Sequence, residues 1–499
     1  MQARVSASRW VPYVLLAAIV GMGMFLVWYS TVWGAGLISD SFQYTASARS
    51  FARGHGFSLP YGEGELDPMT KYPPLFPVFL AVFEMAGSTA LQGARLLNIL
   101  LFGANIVLMF YCTKKLTRSP WFSLLASLLF AISFVLVEAH SWALSEPLYI
   151  CLSLVSFLLL EKYFEKDRAA WLVLTALAAS AAFLTRYVGV SLVLAIAVLL
   201  LLNRNSLRQK TMDLLWFGGI AVLPMALWSL RGYMLTRTLN DRTPAFHPLT
   251  IRNYLSMIDV FYGWFFPSSL VQGAEKIFLA LTIAGLAILF LLFWKSRQAS
   301  TGGLLRERSP ERQILLLQGI YIVLYALVII ASKTWMDADI GLSDRILSPM
   351  LVSLLILLAA GLSFLWNRYS RSKPFVVLIA LALVAYYAAG TFVTVQGFHD
   401  TGIGIARRGW NRSEVIRSLR SYSTSPMYTN SNSSLYLWSD RAGYGIPEFE
   451  QLKEKGTDSR VLLVIFHHVP PSGKRLDELV GGLKLLGEDQ VASIYAFDP

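Results

Sequence analysis

One polar stretch in an otherwise apolar chain contains residue types that could do chemistry. It runs from Trp33 to Pro74 and includes Asp40 and Lys71. It is too polar to lie in lipid, although membrane-type sequence flanks it on both sides. A carboxylate at a membrane surface can act as general base towards an acceptor hydroxyl. The alternative interpretation is that Asp40 caps a helix beginning at Ser41.

Three further motifs place ionisable residues at the edges of apolar segments, where charges are costly and often functional. Glu146 lies in Ser145-Glu146-Pro147, and the alternative for it is an acidic residue at a helix N-terminus, where Pro is also favoured. Arg186 lies in the short hairpin Leu184-Thr-Arg186-Tyr-Val-Gly189, and Arg345 in Asp344-Arg345-Ile-Leu-Ser-Pro349. Arginine offers a phosphate a bidentate fork. Its alternative role, shared by Lys71, is snorkelling to the membrane interface. Three cations near one candidate base favour an anionic lipid headgroup as ligand.

The elements that must position these residues are membrane helices. The chain has 499 residues, of which 55% are hydrophobic and 15% charged. Apolar runs near 20 residues recur, which is the length that a helix needs to cross a bilayer. We predict an α-helical polytopic membrane protein with about 11–13 transmembrane helices, and a partly embedded helix at 75–86. The main predicted segments are 11–32, 94–113, 119–137, 145–161, 169–184, 187–202, 213–231, 275–294, 314–332, 346–366 and 374–395.

The positive charge orients these helices. The formal net charge is +12, but most of the surplus lies in short loops between apolar segments, which is an orientation signal and argues against nucleic-acid binding. We therefore predict a multi-pass protein of the inner (plasma) membrane with a cytoplasmic N-terminus. The predicted external loops are 33–74, 138–145, 185–187, 232–274 and 333–345. An odd number of spans also places everything after about residue 396 outside.

The last hundred residues change character. Residues 1–395 form the predicted transmembrane catalytic domain, with 33–74 as its first external loop, and 396–499 a small soluble α/β domain. Asn411 is predicted to cap a helix, and Leu476 to Leu486 to form an amphipathic helix. Strands are predicted at 426–429, 461–466 and 491–497.

Several other chemistries find no support in the sequence. The two cysteines, Cys112 and Cys151, lie inside apolar segments, so neither a disulfide framework nor a thiolate metal site is indicated. The six histidines lack metal-ligand spacing, and neither a P-loop nor a Gly-rich dinucleotide motif is present. We expect no required cofactor; a divalent cation is compatible with the motifs but not favoured.

Together the motifs resemble those of the GT-C superfamily of polytopic glycosyltransferases. The resemblance is to the bacterial branch related to protein O-mannosyltransferases and to the aminoarabinose transferase that modifies lipid A. It covers about residues 10–395, and the order and common predicted side of the motifs make it specific. It rests on Asp40-Ser-Phe-Gln-Tyr44, Lys71-Tyr-Pro-Pro-Leu-Phe-Pro77, Ser145-Glu-Pro-Leu-Tyr149, Leu184-Thr-Arg-Tyr-Val-Gly189 and Asp344-Arg-Ile-Leu-Ser-Pro349.

The resemblance implies a polyprenyl-phosphate-sugar donor and a glycan, lipid or protein acceptor reached from outside the cytoplasm. It implies Asp40 as catalytic base. It implies Lys71, Arg186 and Arg345 as ligands of the donor phosphate. Ser41 stands where relatives often have a second acidic residue, which weakens a metal-dependent mechanism. The remaining substrate-binding candidates are Tyr44, Tyr72, Glu146, Tyr187 and Lys333.

Two other classes remain open on the sequence alone. A transporter or flippase for lipid-linked sugars would use the same cations but would need no base. Transporters often contain internal repeats, and none is visible here. A scaffold with an inactive membrane part and a partner-binding tail is the third interpretation.

Overall fold

The computed structural model describes residues 2–203, 206–238, 244–267, 277, 310–336, 340–422, 424–469 and 476–498. These residues separate into two compact units. The first, here called the helical unit, comprises Met1–Val27, Asn98–His140 and Ser145–Val395. The second, the mixed unit, comprises Trp28–Leu97, Ser141–Leu144 and Gln396–Pro499.

Helices dominate the described chain as far as residue 401, as the apolar composition predicts. A β-hairpin formed by β1 (Ser58–Tyr61) and β2 (Glu65–Pro68) lies between the second and third helices. The helices of this part of the chain are α1 (Gln2–Ser30), α2 (Ser39–Ala52), α3 (Leu75–Met85), α4 (Ala90–Thr117), α5 (Pro120–Ala131), α6 (Phe134–Ser141), α7 (Glu146–Lys166), α8 (Ala169–Thr185), α9 (Val190–Asn203), α10 (Leu207–Thr236), α11 (Ile251–Gly263), α12 (Pro310–Trp335), α13 (Asp344–Arg368) and α14 (Lys373–Thr401).

Membrane-spanning length confirms the polytopic class. Within the described residues, seven helices are long and apolar enough to cross a membrane, or eight if the bent pair α5 and α6 is one span. α8 and α9 match the predicted segments 169–184 and 187–202 but are shorter than a straight span. α3 matches the predicted short helix at 75–86. Of the predicted segment 275–294, only residue 277 is among the described residues.

The predicted single segment 119–137 is broken in the structure. α5 and α6 meet at an angle of 55°. At the break, the Thr391 hydroxyl donates a hydrogen bond to the Ile132 carbonyl, which the helix leaves unpaired. Ser133 Oγ accepts from the backbone N–H of Leu136 at 3.4 Å and so caps α6.

The helical unit is held together by apolar packing between neighbouring helices. α8 packs against α7 and α10, α9 packs against α12, and α13 packs against α5 and α12. The buried side chains include Phe157, Phe217 and Leu355. This framework fixes the N-termini of α7 and α13, where Glu146 and Arg345 lie.

In the mixed unit, the first loop and the tail fold together. α2 packs against α3 and β1. Tyr61 OH donates to Glu448 Oε1 at 2.7 Å, which joins the β1–β2 hairpin to the tail. Burial, together with this hydrogen bond, raises the pKa of Tyr61 to about 12. The segment 33–74 and the tail thus share one compact unit, while the predicted division at residue 395 remains a prediction.

The tail contains a four-stranded sheet, which confirms the predicted small α/β region. The strand order is β3-β4-β6-β5, with β3 and β4 parallel and the other pairs antiparallel. Tyr428, Phe449, Leu463 and Ile465 form part of its core. The elements are α15 (Arg408–Arg412), α16 (Glu414–Ser418), β3 (Met427–Thr429), α17 (Asn432–Ser439), α18 (Ile446–Lys455), β4 (Val461–Phe466), α19 (Leu476–Val480), β5 (Lys484–Glu488) and β6 (Ala492–Phe497).

Two local predictions in the tail are wrong. The predicted helix 476–486 ends at Val480, and Lys484–Glu488 pairs with β6 instead, because sheet pairing overrides the helical pattern of a short segment. The predicted Asn411 cap is also wrong. Ser413 is the N-cap of α16, since its Oγ accepts from the backbone N–H of Ile416 at 2.9 Å.

Candidate active site

The candidate base Asp40 lies in the first turn of α2. The N-cap of this helix is Ile38, and the Ile38 N–H donates to Ser41 Oγ at 3.2 Å. Asp40 is therefore not the cap residue that the alternative interpretation required. Its half-buried carboxylate accepts a hydrogen bond from Tyr72 OH at 2.8 Å. The helix N-terminus also favours a negative charge at this position.

Aromatic contacts hold Tyr72 in place. Tyr44 is 2% exposed, and its ring centroid lies 5.1 Å from that of Tyr72 and 5.1 Å from that of Phe76. Tyr44 is one helical turn beyond Asp40, so the same face of α2 presents both residues. Tyr44 and Tyr72, two predicted substrate-binding residues, thus fix the geometry around the carboxylate.

Backbone contacts fix the segment that leads into α2. Gly36 N–H donates to Ser141 O at 2.8 Å, and Ile405 N–H donates to Leu37 O at 2.9 Å. Gly404 has φ +57°, and a Cβ there would lie 2.3 Å from Leu37 O, so glycine is needed at this close approach. Two distant segments of the mixed unit, at Ser141 and at Gly404–Ile405, therefore set the start of α2.

The other end of α2 is fixed by Arg49. Its Nη1 lies 2.9 Å from Asp440 Oδ1 and its Nε 3.5 Å from Glu84 Oε1. Nη1 also donates to Tyr436 OH at 3.3 Å. Asp440 and Tyr436 belong to the tail, which therefore helps to position the helix that carries Asp40.

Lys71 precedes Tyr72 directly. It is half-buried and makes neither a hydrogen bond nor an ion pair with another described residue. A half-buried ammonium with no partner among the described residues favours an anionic ligand.

In the helical unit, one buried carboxylate holds two predicted phosphate ligands. Glu146, the first residue of α7, is 0% exposed. Arg186 Nη1 lies 2.9 Å from Glu146 Oε2, and Arg345 Nη1 lies 3.7 Å from Glu146 Oε1. Arg186 Nη1 also donates to Ser145 Oγ at 3.1 Å. The cluster thus brings two guanidinium groups to one carboxylate. The structure favours a positioning role for Glu146, although its predicted role in substrate binding remains a prediction.

A break between two helices presents Arg186. It follows α8 in extended backbone (φ −149°, ψ 138°), and the 3-10 helix Tyr187–Gly189 comes next. A Cβ at Gly189 would lie 2.5 Å from the Cα of Phe183. The tight hairpin therefore requires glycine there, and the hairpin directs Arg186 to the N-terminus of α7. Tyr187, another predicted substrate ligand, is half-buried beside it.

Lys333 has a structural contact. It lies in the last turn of α12, and its Nζ donates to Ile340 O at 2.7 Å. An ammonium near the C-terminal end of a helix is also favoured by the helix dipole. The contact leaves open the predicted role of Lys333 as a substrate ligand, which remains a prediction.

Aromatic residues that sequence reasoning missed surround the arginine cluster. Tyr149 OH and Tyr321 OH are 3.1 Å apart, and Tyr325 OH donates to Ile346 O at 2.7 Å. Trp264 Nε1 donates to Asp344 Oδ1 at 2.7 Å, and Asp344 directly precedes Arg345. Tyrosines within apolar runs, whose hydroxyls need partners when buried, were the available signal.

The described residues contain no group of three or more His, Cys, Asp or Glu side chains that could hold a metal ion. Asp339, an acidic residue of the predicted external loop 333–345, lies outside the described residues. The predicted independence from cofactors remains a prediction.

Comparison with known protein families gives a match, which covers part of the chain. Residues 71–228 match the family model described as dolichyl-phosphate-mannose-protein mannosyltransferase. No curated protein sequence matches the chain.

Solved structures match nearly the whole chain. ArnT from Cupriavidus metallidurans in the apo state is 14% identical with a TM-score of 0.62, and the match covers 98% of each chain. The same protein bound to undecaprenyl phosphate gives a TM-score of 0.61 at 14% identity, again with 98% of each chain covered. The Archaeoglobus fulgidus oligosaccharyltransferase is 12% identical with a TM-score of 0.56, and the match covers 91% of this chain and 68% of that one.

The chain is a multi-pass membrane protein with the fold of the GT-C glycosyltransferases. The predicted resemblance to this superfamily is confirmed, and the predicted branch agrees with the matched family model and with ArnT. The family match over residues 71–228 and the fold both agree with the prediction of a GT-C-type glycosyltransferase.

Proposed function

We propose that this protein transfers a sugar from a polyprenyl-phosphate-linked donor to an acceptor hydroxyl on the extracytoplasmic face of the membrane, with inversion. The observation that carries the proposal is the pair of arginines held by the buried Glu146. The donor class is supported by ArnT, which was solved bound to undecaprenyl phosphate, and by the family model named after dolichyl-phosphate-mannose.

The donor phosphate is assigned to Arg186, Arg345 and Lys71. Glu146 and Ser145 orient Arg186 in advance, so its fork need not reorganise when the phosphate arrives. As the bond to the sugar breaks, negative charge grows on the phosphate, and fixed cations stabilise that charge.

The acceptor step is assigned to Asp40. Its carboxylate takes the proton of the acceptor hydroxyl while the acceptor oxygen bonds to the anomeric carbon. The bond from that carbon to the phosphate oxygen breaks at the same time, and the polyprenyl phosphate leaves with the bonding electrons. Tyr72 OH donates to Oδ1 of this carboxylate at 2.8 Å and so holds it in position for the acceptor. A single displacement of this kind inverts the anomeric centre.

The proposed chemistry needs neither a nucleotide nor a metal ion. The lipid donor already carries its leaving group, and three side-chain cations supply the charge stabilisation that a metal ion would otherwise provide. We expect transfer to survive removal of divalent cations with a chelator, and we expect nucleotides to have no effect on it.

A transfer assay tests the proposal. Purified protein in nanodiscs would receive synthetic polyprenyl-phosphate sugars, and mass spectrometry would follow both the sugar and the released polyprenyl phosphate. Because the acceptor is to be identified, extracts of cell-envelope glycans, lipids and proteins would serve as acceptors. Release of polyprenyl phosphate with a glycosylated product of inverted configuration supports the proposal. Movement of the intact lipid across a bilayer without release would identify a transporter.

A further inference from the structure

The mixed unit contains a cavity that the proposed reaction does not use. Its volume is about 320 Å³. Trp33, Leu37, Leu91, Leu437 and Trp438 supply an apolar lining, and Arg95 supplies a cation. A mainly apolar cavity with one placed charge fits an amphiphilic anion.

The Arg95 guanidinium is fixed at the cavity wall. Its Nε donates to Thr31 Oγ1 at 3.0 Å, and its Nη2 donates to Trp28 O at 3.2 Å. Nη1 makes no hydrogen bond to another described residue, and Arg95 has no carboxylate partner among them. The remaining donors therefore suit an oxyanion.

Two more arginines lie beside Trp33, one of the residues that line the cavity. The guanidinium carbons of Arg408 and Arg412 lie 5.7 Å and 5.9 Å from the ring centroid of Trp33. Both side chains are exposed, and in the described chain neither forms an ion pair with a carboxylate. Trp33 is itself fixed, because its Nε1 donates to His399 O at 2.8 Å. Arg95 in the cavity wall and the two arginines beside Trp33 thus bring three cations to this region, and none of them forms an ion pair with a carboxylate of the described chain.

The ends of the membrane helices place this cavity at the bilayer surface. Trp33 comes three residues after the end of α1, Leu91 is the second residue of α4, and the lining residue Ala406 follows shortly after α14 ends at Thr401. Tryptophan and arginine are both favoured at this level, where an indole meets the headgroups and a guanidinium meets lipid phosphates.

We propose that this cavity binds the phosphate headgroup of an anionic bilayer phospholipid, separately from the sugar donor. The three arginines would hold the phosphate, and the Trp33 and Leu91 side of the cavity would receive the glycerol and the first methylenes. A free phosphate ion would leave the apolar lining unfilled. The site does not depend on the proposed glycosyl transfer, so either assignment can fail alone.

The test measures retained lipid. Full-length protein would be reconstituted in phosphatidylcholine nanodiscs with a minor fraction of phosphatidylglycerol, and native mass spectrometry would count the phosphatidylglycerol that remains bound. We expect Arg408→Ala/Arg412→Ala to bind it about 10- to 30-fold more weakly, the effect of two basic residues near an anionic surface. The matched control Arg208→Ala/Arg371→Ala removes two other exposed arginines and should retain wild-type binding.

Several results would overturn the proposal. Equal retention of phosphatidylglycerol by wild type and by the Arg408/Arg412 variant would exclude a lipid site here. An equal loss of retained lipid in the Arg208/Arg371 control would show that only the total positive charge of the protein matters. Displacement of the lipid by inorganic phosphate at equal concentration would indicate a soluble anion instead. If the alanine variant does not fold, Arg408→Lys/Arg412→Lys keeps the charge but loses the forks, and we expect retention to fall severalfold. Unchanged retention in the folded lysine variant would also contradict the proposal.

Discussion

Replacing Glu146 with Gln should separate the contribution of this carboxylate to protein stability from the binding of the donor phosphate by the arginines. The change keeps the size of the side chain and one oxygen but removes the charge between Arg186 and Arg345. The two guanidinium groups then lose the counter-charge that lies 2.9 Å and 3.7 Å from their nitrogens. We expect lower stability, and donor-phosphate affinity that is maintained or higher, because the phosphate no longer competes with a carboxylate.

The expected loss of stability follows from burial. Breaking a buried ion pair by removing one partner costs about 3–5 kcal/mol. Glu146 is buried, but the arginine side chains are 20% and 22% exposed, so water offsets part of the cost. We expect a net loss of about 2–3 kcal/mol. The apparent Tm should fall by about 4–6 °C, taking the low end of the shift per kcal/mol for a large chain.

Thermal unfolding in detergent, with and without polyprenyl phosphate, measures both effects. Glu165→Gln is the matched control on the same helix: this residue is 41% exposed and lies 3.9 Å from Lys115, so its loss should cost about 0–1 kcal/mol. Added polyprenyl phosphate should restore more stability to Glu146→Gln than to wild type. Equal Tm values for the two variants, or a loss of lipid binding in Glu146→Gln, would refute the reasoning.

Three further predictions concern Arg186, the membrane topology and His468. Arg186→Lys should raise the activation free energy of transfer by up to about 2–4 kcal/mol, because one ammonium cannot replace an oriented fork. Transfer at the wild-type rate in steady-state kinetics would instead show that Arg186 only anchors the chain at the membrane interface. Single cysteines can replace the exposed Ser39 and Ser206 in a variant without native cysteines. We expect membrane-impermeant reagents to label the two positions from opposite sides of the membrane. Labelling of both from the same side would contradict the predicted topology. Burial lowers the pKa of His468 below that of an exposed histidine. The unfolded chain therefore binds a proton more readily than the folded chain, and the protein loses stability as the pH falls below about 6.5. His468→Gln should remove this loss and flatten the Tm–pH profile between pH 7.5 and 5.5.

The sequence predicted the membrane helices well because their signal is local. Apolar length alone placed α4, α7, α12 and α13. It could not predict the bend between α5 and α6, because this depends on Thr391, which is 259 residues away from Ile132 in the sequence. The strand Lys484–Glu488 was missed for a similar reason, since only pairing with β6 determines it.

The candidate site was predicted residue by residue but not in its internal contacts. Membrane-edge charges are costly enough to stand out, so Asp40, Glu146 and Arg186 could be chosen as candidates from the sequence. Hydrogen bonds and ion pairs between distant segments could not be predicted from the sequence. Examples are Tyr72 on Asp40, and Arg345 on Glu146, which is 199 positions earlier in the numbering. The buried Tyr149, Tyr321 and Tyr325 were hidden because tyrosine in an apolar helix usually contributes to packing.

The most direct test of the proposed chemistry is the rate of sugar transfer by Asp40→Asn, measured together with its affinity for the polyprenyl-phosphate donor. Asparagine keeps the size and can still accept the Tyr72 hydrogen bond, whereas Tyr72→Phe keeps the base and serves as control. We expect unchanged donor affinity with transfer reduced by about 10²–10⁴, the usual contribution of a positioned acid or base, and a smaller loss in Tyr72→Phe. Transfer by Asp40→Asn at the wild-type rate, or a loss of donor binding, would contradict the assignment of Asp40 as base.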